Sequence, residues 1–136
     1  MAWRILLVDD DADIRGAVST HLRQRGAVVA EADTARPALA CLEADRFDLL
    51  ITDVRMPGPS GLWLLSQVRR RWARLPVILI TGWVPDSNEL EIYRTADAVL
   101  LKPFRLFELT RRIERILGRG DETGPDANGA PSTTPA

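Results

Sequence analysis

Several polar side chains stand directly behind short apolar runs in this chain, and their types suit phosphate and metal chemistry. The run from Ile5 to Val8 is followed by Asp9, Asp10 and Asp11, and "LLITD" ends in Asp53. "VILI" is followed by Thr81 and Gly82, and "AVLL" by Lys102 and Pro103. Two ionised carboxylates about 4 Å apart repel by roughly 4 kcal/mol at an effective dielectric near 20. A chain that needed only a turn could use Gly, Asn or Ser, so a run of three carboxylates points to a positive partner. All-oxygen ligands without His or Cys select a hard cation, Mg²⁺ first and Mn²⁺ as the alternative. An Asp carboxylate can also act as a nucleophile toward a phosphoryl group. Lys102, Thr81 and backbone N–H groups after Asp53 and Thr81 would then serve the transferred oxygens. Simpler roles stand beside these. Asp11 suits the N-cap of a helix beginning near Ile14, a lone Asp after a strand is a turn former, and Thr81 alone is a strand end.

These residues converge only if the fold brings the strand ends together. Short Val/Ile/Leu-rich runs recur at 5–8, 27–30, 49–51, 77–80 and 98–101, each too short for a useful helix. Between them lie stretches with helical spacing. Ile14, Val18 and Leu22 form the first stripe, Ala35, Ala38, Leu39 and Leu42 the second, and Leu62, Leu65, Val68 and Trp72 the third. Residues 86–95 read as a weaker, more polar helix, and Phe104 to Leu117 as a final amphipathic one. Alternation of strand and helix requires crossovers, hence a parallel sheet covered on both faces. We expect an α/β, flavodoxin-like (βα)5 doubly wound sheet of five strands in the order 2-1-3-4-5. In that order strands 1 and 3 are neighbours, placing Asp53 beside Asp9 and Asp10 in the crevice beyond the strand ends.

Composition narrows the remaining classes. The 136 residues suit one domain. A net charge of −1 gives no reason to expect a nucleic-acid or membrane surface. Cys41 is the only cysteine, which excludes an internal disulfide and suits a reducing, cytoplasmic setting. There is no long apolar stretch at the start and none long enough to span a bilayer. Lys102 is the only lysine among 18 basic residues, which marks a position where a compact ammonium is needed. Residues 1–118 read as the folded domain, and 119–136, rich in Gly, Pro, Ser and Thr, as a disordered tail or linker stub.

"LLVDDD", "LLITDVRMPGPSG", "VILITG" and "LLKPF" occur in the order, spacing and strand-end positions of the response-regulator receiver domain of two-component signalling, which the chain resembles over roughly residues 3–118. The resemblance implies that Asp53 is the phosphoacceptor, in a Mg²⁺-dependent reaction with a sensor histidine kinase or histidine phosphotransfer protein. Such a module catalyses only its own phosphorylation and dephosphorylation and is not otherwise an enzyme. It implies that Asp10 holds the metal directly and Asp9 mainly through water, with the Arg55 backbone carbonyl as a further ligand. Thr81 and Lys102 match the family's hydroxyl and lysine, Pro103 its cis-proline, and Met56, Pro57 and Gly61 the loop after the phosphoacceptor. A downstream protein would dock on the face of helix 4, strand 5 and helix 5.

The chain departs from the family at Val99, where a Tyr or Phe usually stands three residues before the lysine. Trp83 is the nearest substitute by sequence. Arg55 and Trp83, each two residues beyond a site residue, are bulky enough to screen an acyl phosphate from water. Other residues have plainer readings: His21 at a helix edge, Cys41 as an inert thiol, Arg69, Arg70 and Arg71 as a solvated helix end, Trp63 and Trp72 as packing. Two other classes compete. A nucleotide- or flavin-binding enzyme would need a Gly-rich cradle where this chain has "DDDAD". A degenerate receiver, a protein-interaction module that works without phosphorylation, is the alternative: the full Asp9, Asp10, Asp53, Thr81 and Lys102 set argues against it, while Val99 keeps it open.

Overall fold

The computed structural model describes residues 2–122, with side chains through 118. Five strands alternate with five helices: β1 Arg4–Val8, α1 Ala12–Gln24, β2 Val28–Ala32, α2 Ala35–Ala44, β3 Leu49–Asp53, α3 Gly61–Arg71, β4 Val77–Thr81, α4 Leu90–Tyr93, β5 Ala98–Leu101 and α5 Leu106–Glu122. All pairings are parallel and the order is β2-β1-β3-β4-β5. This is the doubly wound sheet that the alternation of runs and stripes requires. β3 and β4 are buried at every residue, as strands covered on both faces must be, and so they read as unbroken apolar runs.

The pleat divides the core in two. Leu6, Val8, Leu50, Val77 and Leu79 face α2, α3 and α4, while Ile5, Leu7, Leu49, Ile51, Ile78 and Ile80 face α1 and α5. Asp11 caps α1, its carboxylate accepting from the N–H groups of Asp13 and Ile14 at 2.9 and 3.2 Å. Ser60 does the same for α3 through Leu62 and Trp63.

Beyond strand ends that lengthen β1, β3 and β4 by one or two residues, β2, α4 and α5 differ from the sequence reading. β2 runs two residues beyond the expected 27–30 because Glu31, polar and outward, sits in an edge strand where Arg15 and Arg23 pair with it at 3.1 and 3.2 Å. The helix expected over 86–95 is only Leu90–Tyr93, because Asp86 accepts from the N–H groups of Asn88 and Glu89 and closes a turn there instead. α5 reaches into the first four residues of the expected tail. The rest of that tail, 123–136, lies outside the described residues. Among the described residues no helix is long and apolar enough to cross a membrane.

Candidate functional site

The register Val8↔Thr52 makes β1 and β3 end side by side, so Asp9 and Asp53 stand together at the C-terminal end of two neighbouring interior strands. Asp9 and Asp53 are buried and Asp10 is exposed, and the three offer carboxylate oxygens all within 4.8 Å of one another. Asp9 accepts the Asp11 N–H at 2.9 Å, and Asp53 accepts the Val54 N–H at 2.7 Å. From β5, Lys102 Nζ lies 2.8 Å from Asp53 Oδ2 and 3.3 Å from Asp9 Oδ2. The Lys102 N–H is tied to the Thr81 carbonyl at 2.8 Å, and the Lys102–Pro103 peptide is cis. The sheet therefore brings Asp9, Asp10, Asp53, Thr81, Lys102 and Pro103 to the same end.

Burial pushes the Asp9 carboxyl above its ordinary value, and the Asp53 charge adds to this; the Asp11 N–H and Lys102 only partly offset it. For Lys102, burial alone would favour the neutral amine, but the pairing with Asp53 and Asp9 outweighs it and holds the ammonium above its usual range. The site thus keeps a charged lysine facing more negative charge than it can balance. An all-oxygen set of this density suits a hard divalent cation.

The position of Asp53 is set by a close approach. The Gly61 N–H donates to the Val54 carbonyl at 2.7 Å. A Cβ on Gly61 would collide with the Asp53 carbonyl oxygen and stand 2.9 Å from its carbonyl carbon and 3.0 Å from Val54 Cα. Only a residue without a side chain lets α3 start against the strand that ends in Asp53.

The modulating residues are placed less uniformly. Arg55 carries its guanidinium 5.0 Å from the centre of the Trp83 ring. The loops after β3 and β4 are thereby bridged beside the site, in place of the Asp pairing that Arg55 could otherwise make. Trp83 is 58% exposed, and its link to Thr81 is the backbone N–H, donated to the hydroxyl at 3.0 Å. Val99 packs half-buried against the α3/α4 side of the core. The aromatic residue buried on that side is Tyr93, 6% exposed, which the sequence reading did not single out. Its only sequence signal was being the sole tyrosine, in a segment with weak helical period.

Residues given plainer readings also have definite places. His21 Nε2 meets the Thr110 hydroxyl at 2.8 Å, and that hydroxyl donates to the Leu106 carbonyl at 3.1 Å, so the imidazole donates and ties α1 to α5. Arg69 is not merely solvated: it bonds the carbonyls of Thr95 at 2.8 Å and Leu75 at 2.6 Å and pairs with Asp97 at 2.9 Å. Cys41, Trp63 and Trp72 pack half-buried on the core, and Arg36 and Arg71 stack over the two indoles at 5.2 and 4.6 Å.

Comparison with known proteins gives a consistent result. The profile of the Response regulator receiver domain matches residues 5–114. The response regulator protein FleR of Pseudomonas aeruginosa is 38% identical over 132 residues, covering 93% of this chain and 28% of that protein. The chemotaxis protein CheY of the same species is 36% identical over 120 residues, covering 85% of this chain and 97% of that protein. The chain spans about half or less of the length of several other curated regulators. Among solved structures, the response regulator TrrA of Thermotoga maritima in complex with Mg²⁺-BeF superposes with a TM-score of 0.76 at 30% identity, over 85% of this chain and 99% of that one.

Proposed function

Since this chain belongs to the response-regulator receiver family, we propose that it accepts a phosphoryl group on Asp53 from the phosphohistidine of a sensor kinase or phosphotransfer protein. The observation that carries this reading is Lys102 Nζ held between Asp53 and Asp9 beside three clustered carboxylates. A carboxylate oxygen of Asp53 attacks phosphorus; an O–P bond forms, the donor's P–N bond breaks, and the departing imidazole nitrogen takes a proton. Lys102 and the Thr81 hydroxyl bind the equatorial oxygens where negative charge gathers. Asp9, Asp10, Asp53 and the Arg55 backbone carbonyl would hold Mg²⁺ (or Mn²⁺), which when bound neutralises charge between the carboxylates and the phosphoryl oxygens. Attack by water on phosphorus later returns the free carboxylate and inorganic phosphate.

Arg55 stacked on Trp83 stands at the edge of this site and slows that attack. The readout passes to a downstream protein through α4, β5 and α5. Among the described residues, every large hydrophobic exposed to solvent except Val28 lies on the loop after β4 or on this face: Trp83, Val84, Leu90, Leu101 and Phe107. A cytoplasmic setting, without direct contact with nucleic acid or membrane, belongs to the same reading.

Intact mass after incubation with a small acyl phosphate and Mg²⁺, beside Asp53→Asn, tests it. One added phosphoryl group on the wild type alone is expected. No adduct, together with no Mg²⁺ binding, would refute the phosphoacceptor reading in favour of a module that works by binding alone.

A further inference from the structure

The backbone of Asp9 is fixed from two sides. Its N–H donates to the Ala32 carbonyl of β2 at 3.2 Å, and its own carbonyl accepts from Arg15 Nη1 at 2.6 Å. Arg15 lies in the first turn of α1. A helical side chain leans back toward the N-terminus, so its guanidinium reaches over the loop that joins β1 to α1. The Nε arm of the same guanidinium meets Glu31 Oε1 at 3.1 Å. Glu31 is held on its second oxygen by Arg23 Nη1 at 3.2 Å, and Arg23 Nη2 donates to the Val29 carbonyl at 2.8 Å. A carboxylate on β2 thus aims one arginine of α1 at the peptide between Asp9 and Asp10.

As a surface ion pair, Arg15 with Glu31 would contribute little. The bond to Asp9 is of another kind. Asp9 is 2% exposed, and its carbonyl belongs to the planar peptide that carries the Asp10 N–H. That plane sets where the Asp10 side chain leaves the loop relative to Asp9. A hydrogen bond from a charged donor is among the stronger ones, yet the positive charge itself works against a cation at the neighbouring carboxylates. Arg15 therefore opposes a bound cation by its charge and favours it by geometry, so the two effects have opposite signs.

We propose that Arg15, braced by Glu31, is a positioning residue for the divalent cation: it holds the Asp9–Asp10 peptide so that both carboxylates and Asp53 stand within reach of one ion. The inference rests on the Mg²⁺-dependent phosphoacceptor reading above. Loss of Arg15 leaves the Asp9 carbonyl to water and lets the loop pivot about the remaining bond to Ala32, which spreads the carboxylates. Groups that orient metal ligands in this way are worth about 10- to 100-fold in metal affinity.

Mg²⁺ titration followed by amide NMR shifts gives the affinity without phosphorylation, and urea unfolding without Mg²⁺ gives the stability of the same proteins. Arg15→Met is expected to bind Mg²⁺ about 10-fold more weakly, whereas removal of a positive charge alone would tighten binding. Arg23→Met loses the same charge from the same helix and the same carboxylate but does not touch Asp9. It is expected to lose stability and to keep the wild-type affinity. Arg15→Lys keeps the charge and serves if Arg15→Met does not fold. It too is expected to bind more weakly, since one ammonium lacks the fork that holds Glu31 and the Asp9 carbonyl together. With an acyl phosphate, the Mg²⁺ concentration for half-maximal adduct formation should rise in parallel, while the rate at saturating Mg²⁺ changes far less. A folded Arg15→Met that binds Mg²⁺ as tightly as wild type or more tightly, or an equal loss in Arg23→Met, overturns the positioning role. A wild-type protein that binds no Mg²⁺ and gains no adduct refutes the phosphoacceptor reading itself.

Discussion

Replacing Gly61 by Ala tests the link between packing and chemistry most directly. The new Cβ would stand 2.9 Å from the Asp53 carbonyl carbon and 3.0 Å from Val54 Cα, whereas nonbonded carbons settle near 3.5–4.0 Å. These neighbours are backbone in the central strand, bonded on both sides, so no rotamer change relieves the overlap. β3 and the start of α3 must part by roughly 1 Å. Overpacking of this kind costs about 1–3 kcal/mol, and rigid neighbours place Gly61→Ala toward the upper end. A loss of about 3 kcal/mol out of a total of roughly 5–15 lowers the melting temperature by roughly 10 °C. The same displacement moves Asp53 relative to Lys102, and a misplacement of about 1 Å costs on the order of 100-fold in rate. Urea unfolding gives the stability change, and a time course of intact mass with an acyl phosphate and Mg²⁺ gives the rate. Gly16→Ala is the control, since a Cβ there meets nothing within 4 Å in mid-α1; it should stabilise the protein by about 0.5–1 kcal/mol. A Gly61→Ala protein within about 0.5 kcal/mol of wild type, phosphorylated at the wild-type rate, would refute the reasoning.

Burial raises the Asp9 carboxyl above its ordinary value, so its favourable contribution is present below the unfolded-state value and lost as pH rises through the folded one. At neutral pH ionised Asp9 is a cost to the fold, and Asp9→Asn should melt higher than wild type without divalent cations while binding Mg²⁺ more weakly; a lower melting point would contradict this. Arg69 ties the carbonyls of Thr95 and Leu75 to Asp97 at the end of the sheet remote from Asp53. Arg69→Ala should therefore lose about 2 kcal/mol in urea unfolding with an unchanged phosphorylation rate, and a changed rate would count against a purely structural role. If the Arg55–Trp83 stack slows hydrolysis, Arg55→Ala or Trp83→Ala should shorten the life of the phosphorylated protein by about 2- to 5-fold, as a contact of about 0.5–1 kcal/mol allows. The double variant should lose its label no faster than the more affected single one; unchanged decay in all three would remove the screen.

Much of the architecture is written locally. The Val/Ile/Leu runs are continuous because β3 and β4 are buried on both faces, and alternation with helical stripes leaves a parallel sheet as the arrangement that buries them. From that order the meeting of Asp9 with Asp53 followed, and the lone Lys102 was conspicuous against a background of arginine. The Asp11 cap was legible for the same reason: capping concerns a residue and its own next N–H groups. Other features depend on separate segments meeting, and local pattern carries no record of that. Arg69 looked like a solvated helix end until Leu75, Thr95 and Asp97 came within reach of one guanidinium. Gly61 matched a family loop, but its intolerance of a Cβ depends on how closely α3 approaches the Asp53 carbonyl. Nor did periodicity reveal Tyr93, because four helical residues are too few to declare a buried face. Its burial depends on the packing of α4 against the cluster that holds Leu79 and Val99. The chemistry available at the strand ends was readable from residue types and spacing; which neighbours constrain it depends on the folded packing, since those contacts join residues that no local period connects.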